Sequence, residues 1–238
     1  MSSSVSPRLS LRLQAIADLV TEGNRLADIG TDHAWLPIRL CLDGKIPSAV
    51  AMDIRKGPAS AAAEHIRQAG LEDRIEVRIS DGLAGLEEGE TDTIVIAGMG
   101  GALIRRILAD AEEKIHSFSE LVLGPQSEPE LVRRFLESIG FSIVQEKLIC
   151  EDGKYYPVIK AVHADACRRM KAEELAYGPC LLHDRNSALK EWLIRKKETN
   201  QQLQRSLKPL LGEAASARID ELKEEAQLLE AALKYYEM

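Results

Sequence analysis

The residues best placed to do chemistry stand close together in the segment Leu26-Ala27-Asp28-Ile29-Gly30-Thr31-Asp32-His33-Ala34-Trp35-Leu36-Pro37. It opens as a short apolar run, turns through Gly30 and continues into a helical pattern carrying Trp35, Leu36 and Leu40, which is how the first strand-turn-helix unit of a doubly wound sheet begins. Gly30 has no Cβ, so the backbone there can approach a ligand closely, and the following helix offers unpaired N–H groups to an anionic group. Carboxylates at Asp28 and Asp32 would repel a pyrophosphate but suit a cation or a zwitterion. The dinucleotide fingerprint G-x-G-x-x-G is absent, because Asp32 stands in the place of its second glycine and Ala34 or a neighbour in that of a third. A plainer reading, with Asp32 as a helix N-cap, stays open at this point.

Two further apolar runs end in carboxylates. Ser48–Met52 leads to Asp53, about 20 residues beyond the glycine turn, where an acidic residue accepts both hydroxyls of a ribose. Ile75–Ile79 leads to Ser80-Asp81-Gly82-Leu83; Asp81 could accept from an exocyclic adenine amine while Leu83 offers an apolar face to the ring. Asp28, Asp53 and Asp81 at three successive strand ends fit an adenine nucleoside at the carboxyl edge of a parallel sheet. With its ammonium, carboxylate and sulfonium, S-adenosylmethionine meets all of these demands. The alternative is that the three are helix caps and turn formers.

A fourth run, Thr93–Ala97, enters Gly98-Met99-Gly100-Gly101, whose backbone could press against a planar ring or form an anion nest; a tight strand-to-helix turn is the alternative. A fifth, Leu121–Leu123, precedes Gly124-Pro125-Gln126, and a helix from about Glu130 to Ile139 carries Arg133 and Arg134. Phe141–Cys150 and Tyr155–His163, separated by Glu151-Asp152-Gly153, read as a closing hairpin. At the other end, residues 7 to 20 read as a helix ending near Gly23, with Arg8 and Arg12 on one face.

Composition limits the possibilities. With 238 residues, 45% hydrophobic and 29% charged, the chain has room for an α/β domain of about 150 residues and a smaller unit. A net charge of −7 argues against coating nucleic acid with the whole surface but allows a local basic patch. The four cysteines, Cys41, Cys150, Cys167 and Cys180, form no C-x-x-C pair, so neither a metal site nor a disulfide framework is expected, and the compartment is expected to be reducing. No apolar run reaches the roughly 20 residues of a membrane span and the N-terminus does not read as a signal peptide, so a cytoplasmic protein is expected.

Beyond residue 165 the composition changes. Asn186–Leu210 and about 214–236 are rich in Glu, Lys, Gln and Leu, with Pro209 and Gly212 marking a bend between two helices that would pack antiparallel. Leu189, Trp192, Leu193, Ile194, Leu203 and Leu207 would make the first apolar stripe; Ile219, Leu222, Ala226, Leu229 and Leu233 the second. Arg195, Lys196, Lys197, Arg205 and Lys208 make the first of these helices basic. Such a face is either simply solvated or, with a polyanionic substrate, a place for phosphate contacts.

Taken together, A-D-I-G-T-D-H-A-W-L-P at 27–37, D-G-L at 81–83, I-A-G-M-G-G at 96–101 and the hairpin around Asp152, Lys154 and Tyr156 resemble the bacterial TrmK family, the tRNA adenine-22 N1-methyltransferases, over nearly the whole chain. The resemblance implies a class I S-adenosylmethionine-dependent methyltransferase: a Rossmann-like α/β domain over 1–165, with a seven-stranded, mostly parallel sheet, and a helical, coiled-coil-like domain over 166–238 that assists tRNA binding. Carried over by motif, Asp28, Gly30 and His33 line the methionine end, Asp53 holds the ribose, Asp81 with Gly82 and Leu83 holds the adenine, and Ala97 to Gly101 face the target base. One departure stands out: the family often has Q-P-N after the fifth strand, whereas here it is Gly124-Pro125-Gln126.

Adenine N1 carries an in-plane lone pair, so methylation there needs alignment and electrostatics more than a general base. Asp32, His33, Gly98, Met99 and Gly100 are the expected catalytic residues, though His33 could equally be a helix-start histidine bonded to backbone. Arg8, Arg12, Arg105, Arg133, Arg195 and Lys196 are the expected tRNA contacts, and a monomer without metal is expected. Two rivals remain: a methyltransferase acting on another RNA position or a small molecule, and a non-catalytic nucleotide-binding interaction protein.

Overall fold

The computed structural model describes residues 7–164, 168–208 and 213–237. These fall into two compact units, one ending at Arg168 and the other starting at Arg169.

The first unit begins with α1 (Leu11–Leu19) and then alternates: β1 (Leu26–Ile29), α2 (Trp35–Leu42), β2 (Ala49–Asp53), α3 (Lys56–Ala69), β3 (Ile75–Ile79), β4 (Thr93–Gly100), α4 (Gly101–Ala109), the short α5 (Glu112–Ile115), β5 (Glu120–Ser127), α6 (Pro129–Ser138), β6 (Phe141–Glu151) and β7 (Lys154–His163). The seven strands form one sheet in the order β3-β2-β1-β4-β5-β7-β6. Pairings among β1 to β5 are parallel, and β7 runs antiparallel to both β5 and β6. The strand order reverses beside β1, so the carboxyl ends of β1 and β4 open the crevice where ligands bind in such sheets.

β1 and β2 are buried along their whole length, as expected of strands covered by helices on both faces. Alternate residues feed two apolar clusters, Ile94 and Ile96 packing on one side of the sheet and Val95 on the other. The first helix is shorter than residues 7 to 20. Ser10 accepts from the N–H of Leu13 and caps the helix, leaving Pro7 to Leu9 outside it.

The second unit contains α7 (Ala172–Tyr177), α8 (Pro179–His183), α9 (Ser187–Leu207) and α10 (Glu213–Leu233). α9 starts at its cap Asn186, which accepts from Leu189 N–H. The long helices run antiparallel: Lys196 reaches Glu225 at 3.0 Å, Asn200 donates to the Leu222 carbonyl at 3.0 Å, and Lys197 lies 3.8 Å from Glu230. The buried stripe of α9 is Leu189, Leu193 and Asn200, while Ile194 and Leu203 are exposed, contrary to the expected stripe. Residue 194 lies one position, about 100°, round the helix from the buried Leu193, whereas Leu203, one step of three beyond Asn200, is exposed although it continues the stripe. Pro209, Gly212 and Cys167 lie outside the described residues.

Candidate active site

Asp28 is the next-to-last residue of β1, with its side chain buried, and, among the described residues, accepts one side-chain hydrogen bond, from the Thr31 hydroxyl at 2.7 Å. Burial pushes its carboxyl up to about 6, with Thr31 pulling the other way and Asp53 adding to the rise. Asp53, also buried, ends β2 and accepts from the Arg55 N–H at 2.8 Å, with the Arg55 guanidinium 3.5 Å away. Between them the backbone is fixed by the N–H groups of Gly30 and Thr31, which donate to the Met52 carbonyl at 2.8 and 2.9 Å.

The turn after Gly30 is strained. Gly30 has φ +76°, and the non-glycine residues Asp32 and Ala34 are left-handed at +51° and +56°. That conformation is sparsely populated by side-chain-bearing residues, and such strain concentrates at ligand clamps. Ala34 occupies the N-cap position of α2 with no side-chain cap, so Asp32 is not the cap that the plainer reading required. The turn instead aims Asp32 and His33 outward, His33 Nε2 lying 3.6 Å from Asp32 Oδ2. The backbone role considered for His33 belongs to its carbonyl, which accepts from His65 Nδ1 at 3.2 Å. His65 also stacks on Trp35 with ring centroids 4.0 Å apart.

These groups line a cavity of about 520 Å³ at the carboxyl edge of the sheet. Asp28, Gly30, Asp32, His33, Asp53, Ala97, Gly98, Met99 and Arg12 converge on it, all nine expected from the sequence. Met99 packs so close to Gly30 that a Cβ there would collide with its terminal methyl carbon. Gly100 does not line the cavity; it passes Ser127, whose hydroxyl would sit 3.0 Å from a Cβ, and leads directly into α4. The glycine run is therefore a strand end running into a helix, without a separate loop.

The third aspartate differs from the other two. Asp81 is exposed, and neither it, Gly82 nor Leu83 lines the cavity. Leu83 is 2% exposed and packs in the apolar core, and a Cβ on Gly82 would meet Ile107 at 3.0 Å. The apolar face expected of Leu83 is thus turned into the protein.

Among the expected RNA contacts, Arg133 is corrected. Its side chain is 1% exposed and donates to Glu146 at 2.9 Å, so it cannot reach a phosphate. α6 has a strongly one-sided pattern, and position 133 falls on its inner face beside Val132 and Leu136. Arg12 lines the cavity, 2.7 Å from Glu151 and stacked 4.5 Å over the Tyr156 ring. Arg8 and Arg105 are exposed in the first unit. In the second, Arg195 is exposed while Lys196 is half-buried, paired with Glu225 and lying 5.3 Å from the Trp192 ring centroid.

Sequence reasoning assigned no role to Ser10, Leu13, Arg55, Gln126 or Pro157, all of which line the cavity, and quoted Tyr156 only within a motif. Gln126 stands three residues beyond the fifth apolar run, Leu121–Leu123, whereas Asp28 and Asp53 follow theirs directly, so the signal that marked those two did not mark it. Gly124 lines the cavity without a side chain, and a Cβ there would stand 3.1 Å from Ile16. Among the described residues, no group of three or more His, Cys, Asp or Glu is arranged to hold a metal, and no helix is long and apolar enough to cross a membrane.

A sheet of this order, with two buried carboxylates at adjacent strand ends and a glycine-walled cleft beside them, defines a Rossmann-like methyltransferase domain, and the family described as a methyltransferase domain matches residues 9–159. The tRNA (adenine(22)-N(1))-methyltransferase of Bacillus subtilis is 33% identical over 233 residues, 96% of this chain and 98% of that one. Among solved structures, the B. subtilis m1A22 tRNA methyltransferase TrmK superposes with TM-score 0.85 at 31% identity, covering 95% of this chain and 99% of its own. Streptococcus pneumoniae Sp1610, solved in complex with S-adenosyl-L-methionine, gives TM-score 0.83 at 31% identity, covering 95% and 100%. The chain belongs to the tRNA (adenine(22)-N(1))-methyltransferase family.

Proposed function

We propose that the protein transfers a methyl group from S-adenosylmethionine to N1 of adenine 22 in the D-arm of tRNA, in the cytoplasm, as a monomer. The observation that carries this reading is Asp28: a buried carboxylate, pushed up to about 6, that faces a nucleoside-sized cavity with a hydroxyl for its partner. Such a group calls for a cation, and the donor's ammonium is one. The residues present fit the donor. Asp28 would hold the ammonium, Asp53 the ribose hydroxyls, and the strained turn at Gly30 would leave room for the methionine chain. Asp81, exposed beyond the cavity's edge, is the candidate for the adenine amine.

When bound, S-adenosylmethionine supplies a methyl group on a sulfonium, which leaves its bonding electron pair on sulfur. Adenine N1 uses an in-plane lone pair and has no proton to lose, so the chain needs no general base at this step. The methylated ring is cationic. Asp32 and His33, at the outer rim of the turn, would stabilise that charge, and the bare backbone at Gly98 would align the ring. The target base stands in folded tRNA and has to be turned out of its stack to enter the cleft. Arg8, Arg12 and Arg105 on the first unit and Arg195 and Lys196 on the second are the proposed phosphate contacts, the helical unit from Arg169 onward acting as an RNA-binding module.

The test is methyl transfer from labelled donor to unmodified tRNA, with the modified position read as a block to reverse transcription. A single stop at the D-arm adenine is expected. Donor binding without incorporation into any tRNA would overturn the reading.

A further inference from the structure

The cavity has a polarity along the sheet. Asp53 on β2 and Asp28 on β1 mark the donor half, so the acceptor enters over the neighbouring ends of β4 and β5. There the parallel ladder is broken twice in succession. Ala97 pairs with Gly124 and Met99 with Pro125, leaving Gly98 as an extra residue on β4; Gly100 then pairs with Ser127, leaving Gln126 as an extra residue on β5. Bulges bend a strand and re-aim a side chain, and they recur beside active sites. Here they set a residue without a side chain against one with an amide: Gln126 Nε2 lies 3.6 Å from where a Cβ on Gly98 would be. Gly98 holds φ +76°, which keeps a side chain off that surface.

Gln126 is exposed, lines the cavity, and its side-chain amide has no hydrogen-bond partner among the described residues. It is the one amide side chain on the cavity wall among those residues. N1 of an acceptor adenine must remain open to the methyl group, so the protein has to recognise that base from another edge. The edge carrying N7 and the N6 amine presents one acceptor and one donor, the pattern that a glutamine amide matches with two hydrogen bonds.

Resting on the function proposed above, we infer that Gln126 is a specificity-determining residue that selects adenine: its Nε2–H donates to N7 and its Oε1 accepts from the N6 amine. Guanine presents two acceptors on that edge and satisfies one half of the amide at most.

The experiment compares wild-type protein and Gln126→Ala on tRNA carrying either adenine or 7-deazaadenine at the target position, in which a C–H replaces N7. Wild-type kcat/KM should fall about tenfold on the 7-deaza substrate, and Gln126→Ala should lose about tenfold or more on ordinary tRNA. The variant should lose nothing further on 7-deazaadenine, since the partner of N7 is already gone. Calorimetric donor affinity and the melting temperature of Gln126→Ala should match the wild type, separating base reading from folding. Equal wild-type rates on the two substrates, or the same 7-deaza penalty in both proteins, would overturn the inference while leaving the methyltransferase reading intact. A wild-type protein that modifies no tRNA at all would overturn that reading, and this inference with it.

Discussion

The two halves of the cavity are built by opposite means. On the side proposed for the donor, β1 and β2 pair in unbroken register and deliver buried carboxylates, Asp28 and Asp53, to one edge. On the side proposed for the acceptor, β4 and β5 slip out of register twice and present backbone, a methionine and a neutral amide. The difference follows from what each half must do. A fixed charge on a regular strand binds a ligand of fixed charge, whereas a base that changes charge during the reaction needs close approach and alignment without a strong field on its ground state.

The sharpest way to break this comparison is to neutralise the donor side. Asp28→Asn should weaken donor binding about 10- to 100-fold by calorimetry, because a charged hydrogen-bond partner is lost. The same substitution should stabilise the protein without donor. The Asp28 carboxyl titrates near 6 when folded against an ordinary value of 3.8, so the folded state binds its proton more tightly. Its contribution is most favourable below about pH 4 and is lost as pH rises to about 6, a swing of about 3 kcal/mol. Asn carries no such loss, and its melting temperature should exceed the wild type's by several degrees at pH 7 but not at pH 4. Wild-type donor affinity should weaken as pH falls below about 6; a flat profile would remove Asp28 from the ammonium site.

On the acceptor side, Gly98→Val should cut turnover about 100-fold with donor affinity within about twofold of wild type, since small displacements of the reacting atoms carry penalties of that size. Equal losses of donor binding would mean that the two halves are not separable. Away from the cavity, Arg133→Ala leaves Glu146 buried without this ion-pair partner and should lower the melting temperature by about 10 °C, leaving tRNA affinity of the folded protein unchanged. The smallest effect is expected from Arg195→Glu, which should weaken tRNA binding severalfold and reduce the slope of log affinity against log salt by about 1.

Much of the fold was legible in the chain. Apolar runs alternating with helical patterns specified the parallel sheet, and the closing hairpin followed from two β-rich segments around Asp152-Gly153. That Asp28 and Asp53 reach the cavity was legible for the same reason. A carboxylate that follows an apolar run falls at or near a strand's carboxyl end wherever that strand lies in the sheet: Asp53 is the last residue of β2 and Asp28 the next-to-last of β1.

By itself, then, the sequence determined what depends on neighbours along the chain: where strands end, where glycine permits close approach, and which residues carry charge to the edge. Tertiary structure decided what depends on neighbours across it. Asp28, Asp53 and Asp81 look alike in sequence, yet the first two converge on the cavity while Asp81, two residues beyond the end of edge strand β3, stays outside it. Arg133 and Arg134 are adjacent in sequence, yet one is sealed against Glu146 and the other is exposed, because a helix turns about 100° per residue between core and solvent. Gln126 gained its place from a register slip between β4 and β5. Strand register is set by packing and hydrogen bonding between segments more than 20 residues apart, which no local pattern encodes.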